Sequence, residues 1–220
     1  MTAAEAIDRL YEVFRPKRKP HAIGACPCCQ DQRHMDSLLT TPLRQITPDQ
    51  LSRYGASVFL TVGGESDFRY LLPRILELTF REQRWWPSPE IALEKLALAD
   101  WLSWSDEETQ VLHDFFQTAF DDILDRRYGN AEEIDAWICG LGRAGVDVAP
   151  YLHKLEAPEV FPALIGFFEL NAAALQEGKL GNSFWGNNRA PATPTQAAPI
   201  IAWFNSPKIQ GMVWRHYDVN

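Results

Sequence analysis

The residues of this sequence that are best suited to chemistry are three cysteines and two histidines near its N-terminus. Cys26 and Cys29 have the C-x-x-C spacing, in which two thiolates on one tight turn can reach the same metal ion. Cys28 offers a third sulfur, and His21 and His34 lie five residues outside the pair on either side. Structural zinc is held by four nitrogen or sulfur ligands in a tetrahedron, so this segment alone can supply a complete set. The sequence therefore predicts a zinc site here.

Two other roles of this cluster are compatible with the same residues. Structural zinc sites usually draw ligand pairs from two separate segments, and the sequence has no second C-x-x-C motif. Reduced cysteines also pack as small apolar side chains, which needs no metal at all. A redox or catalytic thiol is the third role, although thioredoxin-like motifs belong to a βαβ unit, which this sequence does not predict. The three roles stay open.

The distribution of charge supplies a second candidate for function. The net charge is −8 at pH 7, which argues against general nucleic-acid binding because phosphate contacts need a basic surface. Between residues 100 and 135, eleven Asp and Glu are accompanied only by Arg126 and Arg127, a local balance of −9. Such a stretch is either a solvated helix face or a docking surface for a basic protein partner. The candidate partner-binding residues on it are Asp114, Asp121, Asp122 and Asp125.

Helix signals dominate the chain. Capping boxes, in which a Thr or Ser and a Glu or Gln three residues later satisfy each other's backbone N–H groups, predict helices after Thr2, Thr47 and Ser105. The helix after Ser105 carries the longest apolar stripe, formed by Val111, Leu112, Phe115, Phe116, Ala119, Phe120, Ile123 and Leu124. No two-residue alternation is long enough to predict a strand. The sequence therefore predicts an all-α protein, built as an irregular multi-helix bundle or as stacked helical hairpins.

Two helix boundaries follow from local signals. The helix after Thr47 is expected to run to about Val62, where Gly63-Gly64 stops it. The next helix, from Ser66 to about Glu82, is expected to be kinked or divided at Pro73, because proline lacks the N–H that a helix interior needs.

The length of 220 residues suits a single helical domain with two non-helical stretches. Residues 15–46 are expected to form a loop that holds the cysteines and histidines. Residues 176–198 form a long Gly/Asn/Pro loop, a type that is often functional. In that loop, Phe184 and Trp185 either pack against the domain or are exposed anchors for a partner. We include both rings among the candidate partner-binding residues.

The sequence also predicts where the protein works. No apolar run approaches the ~20 residues that a transmembrane helix needs. The first residues lack the charged-then-apolar order of a signal peptide, and the cysteine spacing is unlike a secreted disulfide framework. We therefore expect a cytoplasmic protein that binds neither membranes nor nucleic acids.

One part of the sequence resembles a known group of proteins. The C-P-C-C cluster is followed by Leu43-Arg44, by Thr61-Val62-Gly63, and by the run Asp67-Phe68-Arg69-Tyr70-Leu71-Leu72-Pro73-Arg74. Over about residues 20–80 this order is similar to that of a group of uncharacterised bacterial proteins. Proteins of that kind occur near secreted polymorphic toxins, so the resemblance implies an immunity role. It implies no activity and assigns no functional residue.

Two functions are therefore expected from different classes. The first is a non-enzymatic protein-binding module, a cytoplasmic immunity protein that neutralises a cognate bacterial toxin with a basic surface. The alternative is a metal- or thiol-dependent enzyme centred on the Cys26–Cys29 cluster. No G-x-S-x-G, P-loop or dinucleotide-binding glycine pattern accompanies that cluster.

Overall fold

The computed structural model describes residues 1–15, 19–26, 32–126, 131–186 and 196–218. Within these ranges the chain forms eleven α-helices and no strand. Pairing of the β type is limited there to two isolated bridges, which join Val62 to Ala25 and to Val58. The predicted all-α, multi-helix fold is confirmed.

The chain divides into two compact units, residues 1–119 and residues 120–220. The boundary falls inside one long helix, Asp106–Asp125. The single domain expected for residues 1–220 requires both units to fold together cooperatively, and it stays a prediction.

Unit 1 begins with five complete helices. They are α1 (Ala3–Phe14), α2 (Gln32–Thr40), α3 (Pro48–Ser57), α4 (Glu65–Arg81) and α5 (Pro89–Leu98). The capping boxes at Thr2 and Thr47 are both present, so the predicted starts of α1 and α3 are confirmed. Helix α4 packs against α1, α3 and α5, and its buried side chains make it the centre of this unit.

The predicted end of α3 is wrong, and one of the two alternatives predicted for α4 is excluded. Helix α3 ends at Ser57 and not near Val62, because Phe59 has a φ of 65° and cannot continue a right-handed helix. Helix α4 is one continuous element with Pro73 inside it, not two abutting helices. Burial of apolar residues on both sides of Pro73 offsets the backbone hydrogen bond that proline cannot make.

The expectation that residues 15–46 form a loop is also wrong in part. Residues 32–40 form α2, and a short 3₁₀ turn follows at Leu43–Gln45. Helix α2 buries Met35, Leu38 and Leu39, which have the i, i+3, i+4 spacing of a helix face. The sequence signal was present but short, because only these three apolar side chains carry it.

The helix predicted after Ser105 is α6, Asp106–Asp125. The Ser105 N–H donates to Glu108 Oε2 at 3.3 Å, and the Glu108 N–H donates to Ser105 Oγ at 3.4 Å, which confirms the capping box. The predicted stripe is buried except for Leu124, which is half-buried. Glu108 has a second role, because Arg69 on α4 donates to it at 2.5 Å and lies over the Trp104 ring.

Unit 2 holds the end of α6 and five further helices. They are α7 (Ala131–Arg143), α8 (Ala149–Lys154), α9 (Phe161–Leu175), α10 (Ala197–Phe204) and α11 (Pro207–Asp218). Helix α7 packs against α9, and α10 packs against α8 and α11. The rings of Phe167 and Phe204, 4.9 Å apart between centroids, join α9 to α10. The break between α10 and α11 lies at Ser206-Pro207, as the proline indicates.

One described segment, Pro158–Leu175, is long and apolar enough to cross a membrane by length and composition. Its mean hydropathy is 1.2, and 28% of it is buried. Core helices of soluble proteins meet the same criterion, so the absence of a membrane partner stays a prediction.

We expect Phe116→Ala to lower the free energy of unfolding by about 3–5 kcal/mol, because it empties a fully buried site. The Phe116 ring lies 6.0 Å from the Trp101 ring and 5.9 Å from the Phe115 ring, measured between centroids, so aromatic rings would line the cavity. Gln117→Ala, on the next position of α6, is the matched control and should change stability by less than about 0.5 kcal/mol. Chemical denaturation measures both, and equal effects would contradict the buried stripe.

Candidate functional site

The segment that contains Cys26 is held in place by the turn before α4. The Cys26 N–H donates to Thr61 O at 2.9 Å, and the Gly63 N–H donates to Gly24 O at 2.8 Å. These two bonds flank the bridge between Ala25 and Val62. Cys26 itself is half-buried. The backbone of this predicted metal ligand is therefore fixed by residues almost forty positions further along the chain.

His34 lies on α2, whose first turn is tied to the same segment. The Gln32 side chain donates to Ile23 O at 3.1 Å, which brings the start of α2 to the cysteine segment. The His34 Nε2 atom is buried and has no hydrogen-bond partner among the described residues. A buried imidazole nitrogen without a partner is costly, so a ligand at this atom would be favourable.

The three other predicted metal ligands are His21, Cys28 and Cys29. His21 is exposed, and Cys28 and Cys29 lie outside the described residues. Within the described ranges no three His, Cys, Asp or Glu side chains are grouped closely enough to hold a metal ion. A closed site that uses Cys26 and His34 would therefore need Cys28 or Cys29.

The acidic end of α6 is the second candidate site, and its charge is partly neutralised within unit 2. Asp121 is exposed and pairs with Lys154 at 2.5 Å. Asp122 pairs with Arg126 at 3.1 Å. Asp125 is exposed and makes no hydrogen bond or ion pair to another described residue. The local balance of −9 read from the sequence thus overstates the field, since it counts carboxylates whose cations come from elsewhere in the chain.

These aspartates occupy an unfavourable position on their helix. Asp122 and Asp125 lie in the last turn of α6, which contains no basic residue. Unsatisfied carbonyls give a helix C-terminus a partial negative charge, so a carboxylate there costs about 0.3–1 kcal/mol. Asp114, the fourth predicted residue, lies further back in the helix, within unit 1. It is half-buried and accepts a hydrogen bond from Gln110 at 2.8 Å.

The two aromatic rings of the predicted long loop lie against α7. Phe184 and Trp185 are half-buried within a short 3₁₀ turn, Ser183–Gly186. Arg143 on α7 donates to Phe184 O, and its guanidinium lies 5.6 Å from the Phe184 ring centroid. A Cβ atom at Gly142 would lie 2.5 Å from Trp185 Cη2, so the indole rests directly on the α7 backbone. This geometry favours the packing role; a partner-binding role for the rings stays a prediction.

A polar network also holds the described part of this loop. Asn171 on α9 is buried, and its amide group accepts from Gly181 N at 2.8 Å and donates to Asp135 at 3.2 Å. Asn182 donates to the other oxygen of Asp135 at 2.8 Å. The described part of the loop is thus bound to both α7 and α9. Residues 187–195 of the predicted loop lie outside the described residues.

A buried ionic network in unit 1 is a site that the sequence alone did not reveal. Tyr11 on α1 donates to Glu77 Oε2 on α4 at 2.7 Å. Arg74 donates to the same oxygen at 2.7 Å. Arg74 also donates through Nε to Ile46 O at 2.8 Å. Burial, together with the hydrogen bond to Glu77, raises the pKa of Tyr11, so its hydroxyl stays protonated and acts as a donor.

A cavity of about 360 Å³ borders this network at Tyr11. It is lined by Asp8, Tyr11, Glu12, Phe14, Arg15, Leu43, Arg44, Tyr70 and Pro73. Arg44 lies 3.8 Å over the Tyr11 ring and donates to Asp8 at 2.6 Å. Tyr70 is half-buried, and this burial raises its pKa. No local pattern joins these residues, because they come from α1, the 3₁₀ turn and α4.

Unit 2 has a second cleft, of about 380 Å³, with an apolar lining. Phe161, Met212 and Glu156 are among the residues that line it. Burial alone would raise the pKa of Glu156, but hydrogen bonds from Lys208, Trp203 and His153 outweigh it and lower the pKa. Glu156 therefore stays a carboxylate that joins the end of α8 to α10 and α11.

Comparison with protein-family models, with curated proteins and with solved structures finds no match to this chain.

Tyr11 and Tyr70 provide a matched test of the buried network, since both line the same cavity. Tyr11→Phe removes a hydrogen bond to a buried carboxylate and should lower the free energy of unfolding by about 1.5–3 kcal/mol. Tyr70 has no hydrogen-bond partner among the described residues, so Tyr70→Phe should change the free energy of unfolding by less than about 0.5 kcal/mol. Urea denaturation compares the two, and a larger loss for Tyr70→Phe would refute the assigned network.

Proposed function

We propose that this protein is a non-enzymatic protein-binding module that docks a basic partner on the acidic end of α6. We further propose that the partner is a bacterial toxin and that binding neutralises it, as the sequence resemblance implies. Asp121, Asp122 and Asp125 form the centre of the proposed docking surface. We call these three residues the acidic end. Glu132 and Glu133 at the start of α7 are its closest acidic neighbours along the described chain.

The observation that carries this proposal is the location of the carboxylates on the helix. Negative charge in the last turn of α6 opposes the helix dipole and lowers stability. The cations Lys154 and Arg126 offset part of this cost, yet Asp125 has neither an ion pair nor a hydrogen bond to a described residue. A charge that weakens the fold and has no compensating contact in the described chain supports a role in binding, because functional sites often cost stability.

The chemistry of recognition follows from that charge. A concentrated negative field accelerates association with a basic protein and loses its effect as salt is added. A basic active site of the kind that grips phosphate groups presents the complementary field. An inhibitor with an acidic end therefore blocks such a site most effectively by covering it.

We expect the triple change of Asp121, Asp122 and Asp125 to Lys to slow association with a toxin encoded beside this gene. The loss should be largest at low salt, where electrostatic steering is strongest. The single change Asp125→Lys should raise the free energy of unfolding by about 0.3–1 kcal/mol, because it places a cation at a helix C-terminus. Stopped-flow binding and chemical denaturation measure the two effects.

The matched control changes the same amount of charge elsewhere in unit 2. Glu159, Glu177 and Asp218 are all exposed, and their combined change to Lys should slow association much less. Equal slowing by both triple variants would mean that only net charge matters, which contradicts a docking site. A protein with no affinity for any product of its neighbouring genes, and no protection of cells that express them, would contradict the immunity role.

We also propose a structural zinc ion near the N-terminus, held by Cys26 and Cys29 with two of Cys28, His21 and His34. The specific observation in its favour is the buried His34 Nε2 atom, which has no partner among the described residues. A neutral imidazole nitrogen is a common zinc ligand. Cys26, eight residues before His34, has its backbone fixed by a hydrogen bond to Thr61. Four protein ligands give a structural site, whereas three and a water would favour the alternative, a metal-dependent enzyme.

Protein purified without chelator should contain about one equivalent of zinc, as the four-ligand site requires. His34→Gln and Cys26→Ser should each reduce the zinc content, because each removes one ligand. His153→Gln changes an exposed histidine in unit 2 and is the control that should leave the content unaltered. Elemental analysis gives the answer; metal-free protein, or equal loss in the control, would eliminate the zinc site.

A further inference from the structure

The cavity that Tyr11 lines has the size of a small-molecule site. Its volume of about 360 Å³ lies within the range of about 300–1,000 Å³ that is typical of ligand pockets. Its lining includes the buried residues Phe14 and Pro73 and the rings of Tyr11 and Tyr70. These apolar and aromatic groups favour the apolar or aromatic body of a ligand.

The guanidinium of Arg44 is held in place at this cavity and has donors that an anion could accept from. Its guanidinium is held from two directions, by the Tyr11 ring at 3.8 Å and by Asp8 Oδ1 at 2.6 Å. Only Nη2 is used in that ion pair, so Nε and Nη1 keep donors that no described residue accepts. A guanidinium fixed in this way loses little further entropy when a ligand binds.

Arg15 adds a second cation at the same rim. It lies just after α1, is exposed, and its side chain makes no ion pair with another described residue. Asp8 is already paired with Arg44, and Glu12 is paired with Arg9 at 3.2 Å. Arg15 is therefore the lining charge that has no partner within the described ranges.

The balance of these charges selects the ligand. Two carboxylates and two guanidiniums line the cavity, so a ligand with two negative charges would be repelled by Asp8 and Glu12. A singly charged carboxylate meets less repulsion, and its two oxygens match the planar fork of a guanidinium. We propose that this cavity binds a small organic monocarboxylate, with its carboxylate between Arg15 and Arg44 and its apolar body on Phe14, Tyr70 and Pro73.

Three probes of similar size test this proposal, namely benzoate, the neutral benzamide and the doubly charged phenyl phosphate. Titration followed by amide NMR should give saturable shifts at Leu43 and Tyr70 with benzoate. Benzamide and phenyl phosphate should bind more weakly, because one lacks the charge and the other carries too much. Equal binding of benzamide, or an absence of saturable shifts with benzoate, would overturn the proposal.

Variants separate recognition at the cavity from general attraction to cations. Arg15→Gln should weaken benzoate binding about tenfold to a hundredfold, because it removes a charge-assisted hydrogen bond. Arg44→Lys keeps the charge but loses the fork, so it should weaken binding as well. Arg53→Gln alters an exposed arginine of α3 that does not line the cavity and is the control. Benzoate affinity that is unchanged in Arg15→Gln, or reduced equally in Arg53→Gln, would overturn the assigned site.

Discussion

The carboxylate of Glu77 joins three separate parts of unit 1. One oxygen accepts from Tyr11 on α1 and from Arg74 on its own helix, and Arg81 lies 3.4 Å from the other oxygen. Arg74 extends the network to the backbone at Ile46, just before α3. A buried charge is tolerated only when it is well paired, so the positions of these elements are coupled. Loss of any one partner leaves the others with an unsatisfied group in a medium of low polarity.

The features that could be predicted from the sequence depend on residues a few positions apart. Caps at Thr2, Thr47 and Ser105 were identifiable because their partners lie three residues away. The pairing of Tyr11 with Glu77 was not, since 66 positions separate the two residues and neither belongs to a motif. The same holds for Arg69 and Glu108, where the capping role was predicted and the ion pair was not.

The candidate sites were likewise predictable only where neighbouring residues carry the signal. Spacing alone indicated Cys26 and His34, but only the fold shows that the histidine lies on a helix with its Nε2 atom buried. The acidic run was visible as composition, whereas its neutralisation depends on Lys154, which is distant in sequence. Phe59 gave no signal at all, because a bulky residue with positive φ is held by its surroundings, here by the Phe68 ring 5.1 Å away.

The pairing of residues 24–26 with residues 61–63 has a consequence for the order of events during synthesis. Cys26 emerges from the ribosome long before Thr61, the acceptor that fixes its backbone. At typical translation rates this interval lasts roughly 2–7 s. Throughout it the thiol belongs to an unfolded nascent chain, accessible to oxidants and to whichever metal ions the surroundings supply. The redox state of the surroundings during synthesis therefore affects the oxidation of Cys26 before its segment is paired with residues 61–63.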